Sequence, residues 1–182
     1  MAPTTKEGQR AELHKTIGRI ANDLRGSVDG WDFKSYVLGM LFYRFISENL
    51  TAYINKSERE AGDPSFDYAQ LGDARAEFGR KETVEEKGFY TLPSGLFQNV
   101  RKRAADDANL NETLARVFKN IEGSAVGADA EDDLKGLFDD LDVNSSKLGN
   151  TVAKRNEKLV KFLYVHDVDP RSTTGLANIR CR

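Results

Sequence analysis

The sequence predicts a mainly α-helical fold, a helical bundle around one central buried helix at about residues 31–60, with room for a short β-hairpin within 61–93. Three observations carry this. Between Tyr36 and Ile46 only Gly39 and Arg44 interrupt an apolar run, so a helix there is apolar on most of its circumference and needs neighbours on several sides. Elsewhere apolar residues recur at spacings of three and four, the mark of amphipathic helices. With 182 residues and 39% hydrophobic content the chain can bury a real core, and its length favours one domain.

Residues 6–25 read as the first helix, with Leu13, Ile17, Ile20 and Leu24 on one face and Gly26 as its stop. The link SVDG is too short to separate domains, so this helix is expected to fold back against the central one. Asp32 is the expected cap of the central helix, and Gly39 the point where a neighbouring backbone comes close. After Leu50 the apolar pattern thins, and Asn55 to Glu60 turn towards water.

From Ala61 to Pro93 the periodicity is lost. Isolated aromatics at Phe66, Tyr68, Phe78, Phe89 and Tyr90 are expected to pin this long connection to the bundle, with a short strand at 88–92. Helical spacing resumes after Ser94, read as an N-cap, with Leu96, Phe97, Val100 and Ala104 inward and Arg101, Lys102 and Arg103 outward. Asn111 is read as the cap of a helix carrying Leu114, Val117, Phe118 and Ile121. A short helix follows at Leu134 to Leu141, and a last one spans about Thr151 to Leu163. On that helix Val152, Leu159 and Leu163 form one stripe and Lys154, Lys158 and Lys161 another. From about Phe162 no helical period remains, and the rest reads as a tail.

Charge is uneven beneath a net value of −2. Seven acids crowd Asp129 to Asp142, and five basic residues lie between Lys147 and Lys161. The apolar run falls short of the ~20 residues that span a bilayer, and no signal-peptide segment opens the chain, so a cytoplasmic protein with no membrane contact is expected. Cys181, the single cysteine, excludes a disulfide framework and cysteine-rich metal sites.

Catalytic patterns are absent. His14 and His166 have no ligand partner at metal spacing. There is no phosphate-cradling G-x-x-x-x-G-K-[ST], no G-x-G, and no nucleophile-elbow serine. Pairs such as Asp132 with Asp133 or Asp139 with Asp140 are read as a solvated face, not as acid and base. No catalytic, cofactor or metal residue is assigned. What remains is a phosphate-contacting candidate, Lys154, Arg155, Lys158 and Lys161, supplemented by Arg101, Lys102 and Arg103. A lysine-rich face on a terminal helix is also commonly plain solvated surface.

Several stretches resemble the N-terminal helical domain of the methylation (M) subunit of type I restriction-modification systems, a DNA adenine-N6 methyltransferase subunit. They are Leu24, Arg25 and Gly26; Trp31, Phe33, Lys34, Tyr36 and VLGMLFYRFISE; Gly88, Phe89 and Tyr90 leading to Pro93, Ser94, Leu96 and Phe97; and LKGLFDDLDVNSSKLGNTVAKRNEKLVK. The resemblance covers about residues 10–161. In the family the chemistry belongs to a following domain that binds S-adenosylmethionine and holds the flipped adenine with an Asn-Pro-Pro-Phe tetrapeptide. Here the four prolines are never adjacent, so the tetrapeptide does not occur in this sequence, and the domain around it is expected to be missing. GFYTLP at 88–93 superficially matches a Gly-Glu-Phe-Tyr-Thr-Pro segment near the family's cofactor site, but carries an extra leucine and is set aside.

The resemblance implies residues 1–161 as one helical N-terminal domain and 162–182 as a tail unlike the family, left by truncation or a frame-shift. It implies an interaction and DNA-clamp role, with the specificity subunit, a second M subunit and, weakly and without sequence preference, double-stranded DNA as partners. Methyl transfer by this chain alone is not expected. The alternative is a free-standing helical protein-binding module that regulates such a system; an independent enzyme is the least supported reading.

Overall fold

The structure, a computed structural model, describes residues 30–164. The first helix expected at 6–25, both histidines and Cys181 lie outside the described residues, as does the tail beyond Tyr164. Helix α1 is Gly30–Glu60. Short α2, Asp73–Ala76, and α3, Arg80–Lys87, follow; then α4, Phe97–Arg103, and α5, Leu110–Ser124. One turn at Glu131–Leu134 forms α6, and Val152–Tyr164 forms α7. The fold is mainly helical.

The main core gathers one face of α1, Tyr36, Val37, Met40, Tyr43 and Ile46, against Phe97 and Val100 of α4, Leu114, Phe118 and Ile121 of α5, and Leu159, Phe162 and Leu163 of α7. Gly39 admits Leu141 so closely that a β-carbon there would lie 2.7 Å from one of its methyls. It is therefore a side chain from the acidic segment, not a backbone, that uses the space. The acidic segment thus contributes apolar residues, Leu134, Phe138 and Leu141, while Asp132, Asp133, Asp139 and Asp140 stay exposed. Phe138 stacks on Phe118 with centroids 4.4 Å apart.

Among the described residues, helix α1 is not covered all round. Leu38, Phe42 and Phe45 are 44%, 49% and 65% exposed, on the side away from the core. Its start also differs from expectation: Asp32 lies inside the first turn and accepts from Lys147 Nζ at 3.0 Å. An acid there suits the positive end of the helix dipole without being the cap.

Residues 61–93 contain, among the described residues, no strand. Successive 3-10 turns and short helices run instead from Tyr68 to Lys87. Gly88, at φ 81°, ends α3 in the left-handed conformation, its N–H donating to Val84 O at 2.8 Å. A second core of Leu50, Tyr68, Ala69, Ala76, Tyr90 and Leu96 holds the segment down. Tyr68 and Tyr90 donate their hydroxyls to the carbonyls of Thr91 at 2.7 Å and Ala76 at 2.5 Å. Those two tyrosines are the pins; Phe66 and Phe89 are half-buried, and Phe78, expected among them, is 90% exposed.

Two expected caps are replaced by longer-range hydrogen bonds. Ser94 donates its N–H and hydroxyl to the Asp73 carboxylate at 2.9 and 2.5 Å, and α4 opens three residues later. The free amide of Phe97 is satisfied by Ser47 Oγ of α1 at 3.0 Å. Helix α5 begins at Leu110 after the cap position Asn109, and Asn111 is buried within its first turn. Finally, α7 runs to Tyr164, so Phe162, read from the sequence as the start of a tail, is helical and wholly buried beside Leu163 of the expected inward stripe. Leu159, Phe162 and Leu163 follow the three-and-four spacing, and the period ends there because the helix itself ends at the next residue, Tyr164.

Candidate nucleic-acid interface

Helix α7 is seated by its inner face. Asn156 Oδ1 accepts from the Asn111 N–H at 3.0 Å, and its amide donates to Ala108 O at 2.7 Å. Asn111 in turn donates from Nδ2 to Asn144 Oδ1 at 2.6 Å. Phe162 stacks on Tyr36 with centroids 5.2 Å apart and tilts against Phe33 at 5.7 Å. Thr151 Oγ1 accepts from the Lys154 N–H at 3.3 Å at the helix start. A helix locked in rotation this way presents its other face in a fixed direction, which a charged surface requires if it is to match a phosphate backbone.

That outer face carries Lys154 and Lys161, both exposed, and Lys158, half-buried. Partial burial first, and then the nearby cations of Lys161 and Lys154, hold the Lys158 ammonium below the ordinary lysine value, while Glu157 opposes them. Lys158 is therefore near enough to both neighbouring lysines to be repelled by them. Glu157 also pairs with Lys161 at 3.0 Å, partly neutralising the lower end of the stripe. Arg155 does not belong to this face. Its Nη1 donates to Gly149 O at 3.1 Å, and its Nε is buried and, among the described residues, unpartnered.

The structure brings the second basic group to the same end of the molecule. Tyr164, one turn beyond Lys161, donates to Arg101 O at 3.3 Å, and the Arg101 guanidinium lies 5.2 Å from its ring centroid. Lys102 is exposed. Arg103 is occupied structurally, donating to Ser94 O at 2.6 Å and Asn99 O at 3.4 Å. All three also sit in the last turn of α4, where cations complement the helix dipole whatever else they do. Of the seven sequence candidates, then, Lys154, Lys158 and Lys161 lie on one face of α7, Arg101 packs at its end through Tyr164 and Lys102 is exposed on α4, while Arg155 and Arg103 donate to backbone carbonyls. Tyr164 is a residue that sequence reading missed; its only signal was an aromatic ring three residues after Lys161.

A groove of about 620 Å³ between α1 and the 61–93 segment is a poor home for phosphate, since Glu58, Glu82 and Glu86 line it with Arg75 as the opposing cation. The stretch Gly88–Pro93 is structural: the Tyr90 ring is buried in the second core, and its N–H donates to Ser124 Oγ at 2.8 Å. Among the described residues no helix is long and apolar enough to cross a membrane.

A helical domain with this element order and a closing α7 places the chain in the HsdM N-terminal domain family, whose model matches residues 13–164. The chain belongs to that family: it is an N-terminal domain of a type I restriction-modification methylase subunit. It is 46% identical over 162 residues to the type I restriction enzyme MpnII methylase subunit of Mycoplasma pneumoniae (strain ATCC 29342 / M129 / Subtype 1), a match covering 85% of this chain and 30% of the relative. The crystal structure of the type I restriction-modification system methyltransferase subunit from Streptococcus thermophilus superposes with a TM-score of 0.65 at 26% identity, over 85% of this chain and 33% of that one. The chain spans about a third of the length of these relatives.

Proposed function

We propose that this domain serves assembly and DNA clamping in a type I restriction-modification methylase, contacting the specificity subunit and a second methylase subunit and touching duplex DNA without reading its sequence. The observation that carries the DNA half is the basic rim. Lys154, Lys158 and Lys161 project from one face of a helix held by its inner side, Arg101 packs against Tyr164 at its end, and Lys102 follows it in the last turn of α4. Lysines of this kind act as point charges on phosphates and release counterions, giving affinity and no sequence preference. The assembly half rests on family membership, because the relatives named above are methylase subunits of type I systems. The sequence carries no glycine motif for S-adenosylmethionine, so methyl transfer is assigned to the domain that follows in the family.

Salt-dependent binding to a random-sequence duplex tests the reading. Replacing Lys154, Lys158 and Lys161 together with alanine is expected to flatten the log–log salt slope by ~0.9 for each phosphate that is no longer neutralised. Arg155→Ala, which removes a loop tie and not a rim charge, leaves the slope unchanged. A triple variant with the wild-type slope refutes phosphate contact by this face. For assembly, co-purification with the matching specificity and methylase subunits, with and without DNA, is expected to recover a complex; no recovery in either condition refutes the assembly role.

A further inference from the structure

Phe78 stands on the lip of the groove between α1 and the 61–93 segment, almost wholly exposed. Its backbone is held on both sides. Ala76 is buried and its carbonyl accepts from the Tyr90 hydroxyl, while Arg80 donates twice to the Glu77 carboxylate, at 2.5 and 2.9 Å, and lies 4.7 Å from the Tyr90 ring centroid. The groove beneath is equally firm, because Ile54, Phe66 and Leu71 of its lining, each half-buried, pack on the second core. Along α1 it extends from Tyr53 to Ala61, about 12 Å at ~1.5 Å per residue, the span of roughly four residues of extended chain.

We propose that this groove receives a basic, apolar-anchored segment of a partner protein, with an aliphatic side chain packed between Phe78 and the groove floor and a lysine or arginine among Glu58, Glu82 and Glu86. Charge selects the occupant. Three carboxylates line the groove against the single cation of Arg75, and the nearby lysines Lys56 and Lys81 pair with Glu60 and Glu85, each at 3.9 Å. Such a lining attracts cations and repels a phosphate backbone, so the groove and the lysine stripe of α7 suit different partners. Shape selects it too. A preformed apolar floor with an aromatic ring at its edge lets one anchoring side chain carry much of the binding free energy, with little ordering left to be done on association. The inference deepens the assembly reading, on which it rests in taking the occupant to be a protein, by giving one partner a surface and a chemistry.

The probe is a fluorescein-labelled hexapeptide of alternating leucine and arginine, titrated into the full chain at low salt and followed by anisotropy and by amide chemical shifts. Binding is expected, with shifts confined to 53–61 and 66–86. A hexapeptide of alternating leucine and glutamate is expected not to bind, and one of alternating glycine and arginine to bind at least about tenfold more weakly, since it lacks the anchor. Phe78→Ala is expected to weaken the leucine–arginine peptide by a similar factor, and Glu58→Gln/Glu82→Gln to weaken it and reduce its salt dependence. All three positions are exposed, so helical circular dichroism is expected to match the parent in both variants. Absence of binding, affinity unchanged in both variants, or shifts centred on the acidic stretch 129–142 would overturn the proposal. So would a concentration-dependent dimer of the chain that Phe78→Ala dissolves, which would assign the groove to a second copy. The two readings fail separately: peptide binding without recovery of the complex with the specificity and methylase subunits removes the assembly role alone, and recovery without peptide binding removes the groove alone.

Discussion

Phe162 offers the sharpest check on how this domain closes. The sequence places it at the start of a tail, where truncation to alanine would cost nothing measurable; the structure buries it completely between Tyr36 and Phe33. Removing a buried phenylalanine side chain costs about 3–5 kcal/mol, combining forfeited transfer free energy with the cavity left behind. The low end of that range is not expected here, because two ring–ring interactions disappear with it and the backbone of α7 is pinned by Asn156 and Tyr164, which limits collapse into the void. About 4 kcal/mol is a large share of the ~5–15 kcal/mol that holds a domain folded. In urea, with a slope near ~2 kcal/mol/M typical of this size, Phe162→Ala is expected to lower the midpoint by about 2 M at unchanged slope. Lys161→Ala, its exposed neighbour, is the control and is expected to stay within about 0.5 kcal/mol of the parent. A Phe162→Ala midpoint indistinguishable from that control would refute the placement of α7 and, with it, the fixed orientation of the lysine stripe.

Other outcomes follow from the same structure. Asn156→Ala strands the Asn111 N–H and the Ala108 carbonyl in a buried setting, and is expected to cost about 2–3 kcal/mol in chemical denaturation, with Asn156→Asp no better because it loses the donor. Gly88→Ala meets two penalties, a left-handed φ of 81° and a β-carbon 2.5 Å from that of Ala130, and is expected to cost at least about 2 kcal/mol by the same assay. The tyrosines make the fold sensitive to alkali. Burial raises the Tyr36 hydroxyl to about 12 and lifts Tyr43, Tyr68 and Tyr90 above the ordinary value near 10 as well. A raised folded-state value means the folded chain holds its phenol protons longer than the unfolded one, so this stability is complete below about pH 10 and falls as pH climbs towards about 12 and beyond. Phenolate absorbance from these rings is therefore expected to appear together with loss of helical circular dichroism; phenolate formation well ahead of unfolding would refute their burial.

How far the sequence reached differs from element to element. Periodicity located α1, α5 and α7 nearly to the residue, because a helix that buries one face must repeat apolar side chains at its own pitch. The inward sets Leu114, Val117, Phe118 and Ile121 of α5, and Leu159 and Leu163 of α7, were legible for the same reason. So was the lysine stripe, since spacing alone puts Lys154, Lys158 and Lys161 on one side. The segment at 61–93 was not legible beyond its aromatics, because its short helices are too brief to show a period and are stabilised by tyrosine hydroxyls reaching 14 and 23 residues along the chain.

Composition and spacing by themselves determined that this is a helical domain with a basic face on its last helix, and the order of its core residues determined the family. Only the tertiary structure decided which charges remain available. Arg155 and Arg103 are drawn inward by backbone carbonyls that a linear reading cannot place, and Arg101 is brought beside the lysine stripe by Tyr164, 63 residues away. It also decided that one side of α1 stays uncovered by residues 30–164. The reason is physical: local periodicity fixes which way a side chain points relative to its own helix, whereas what it meets there depends on packing between segments far apart in the chain.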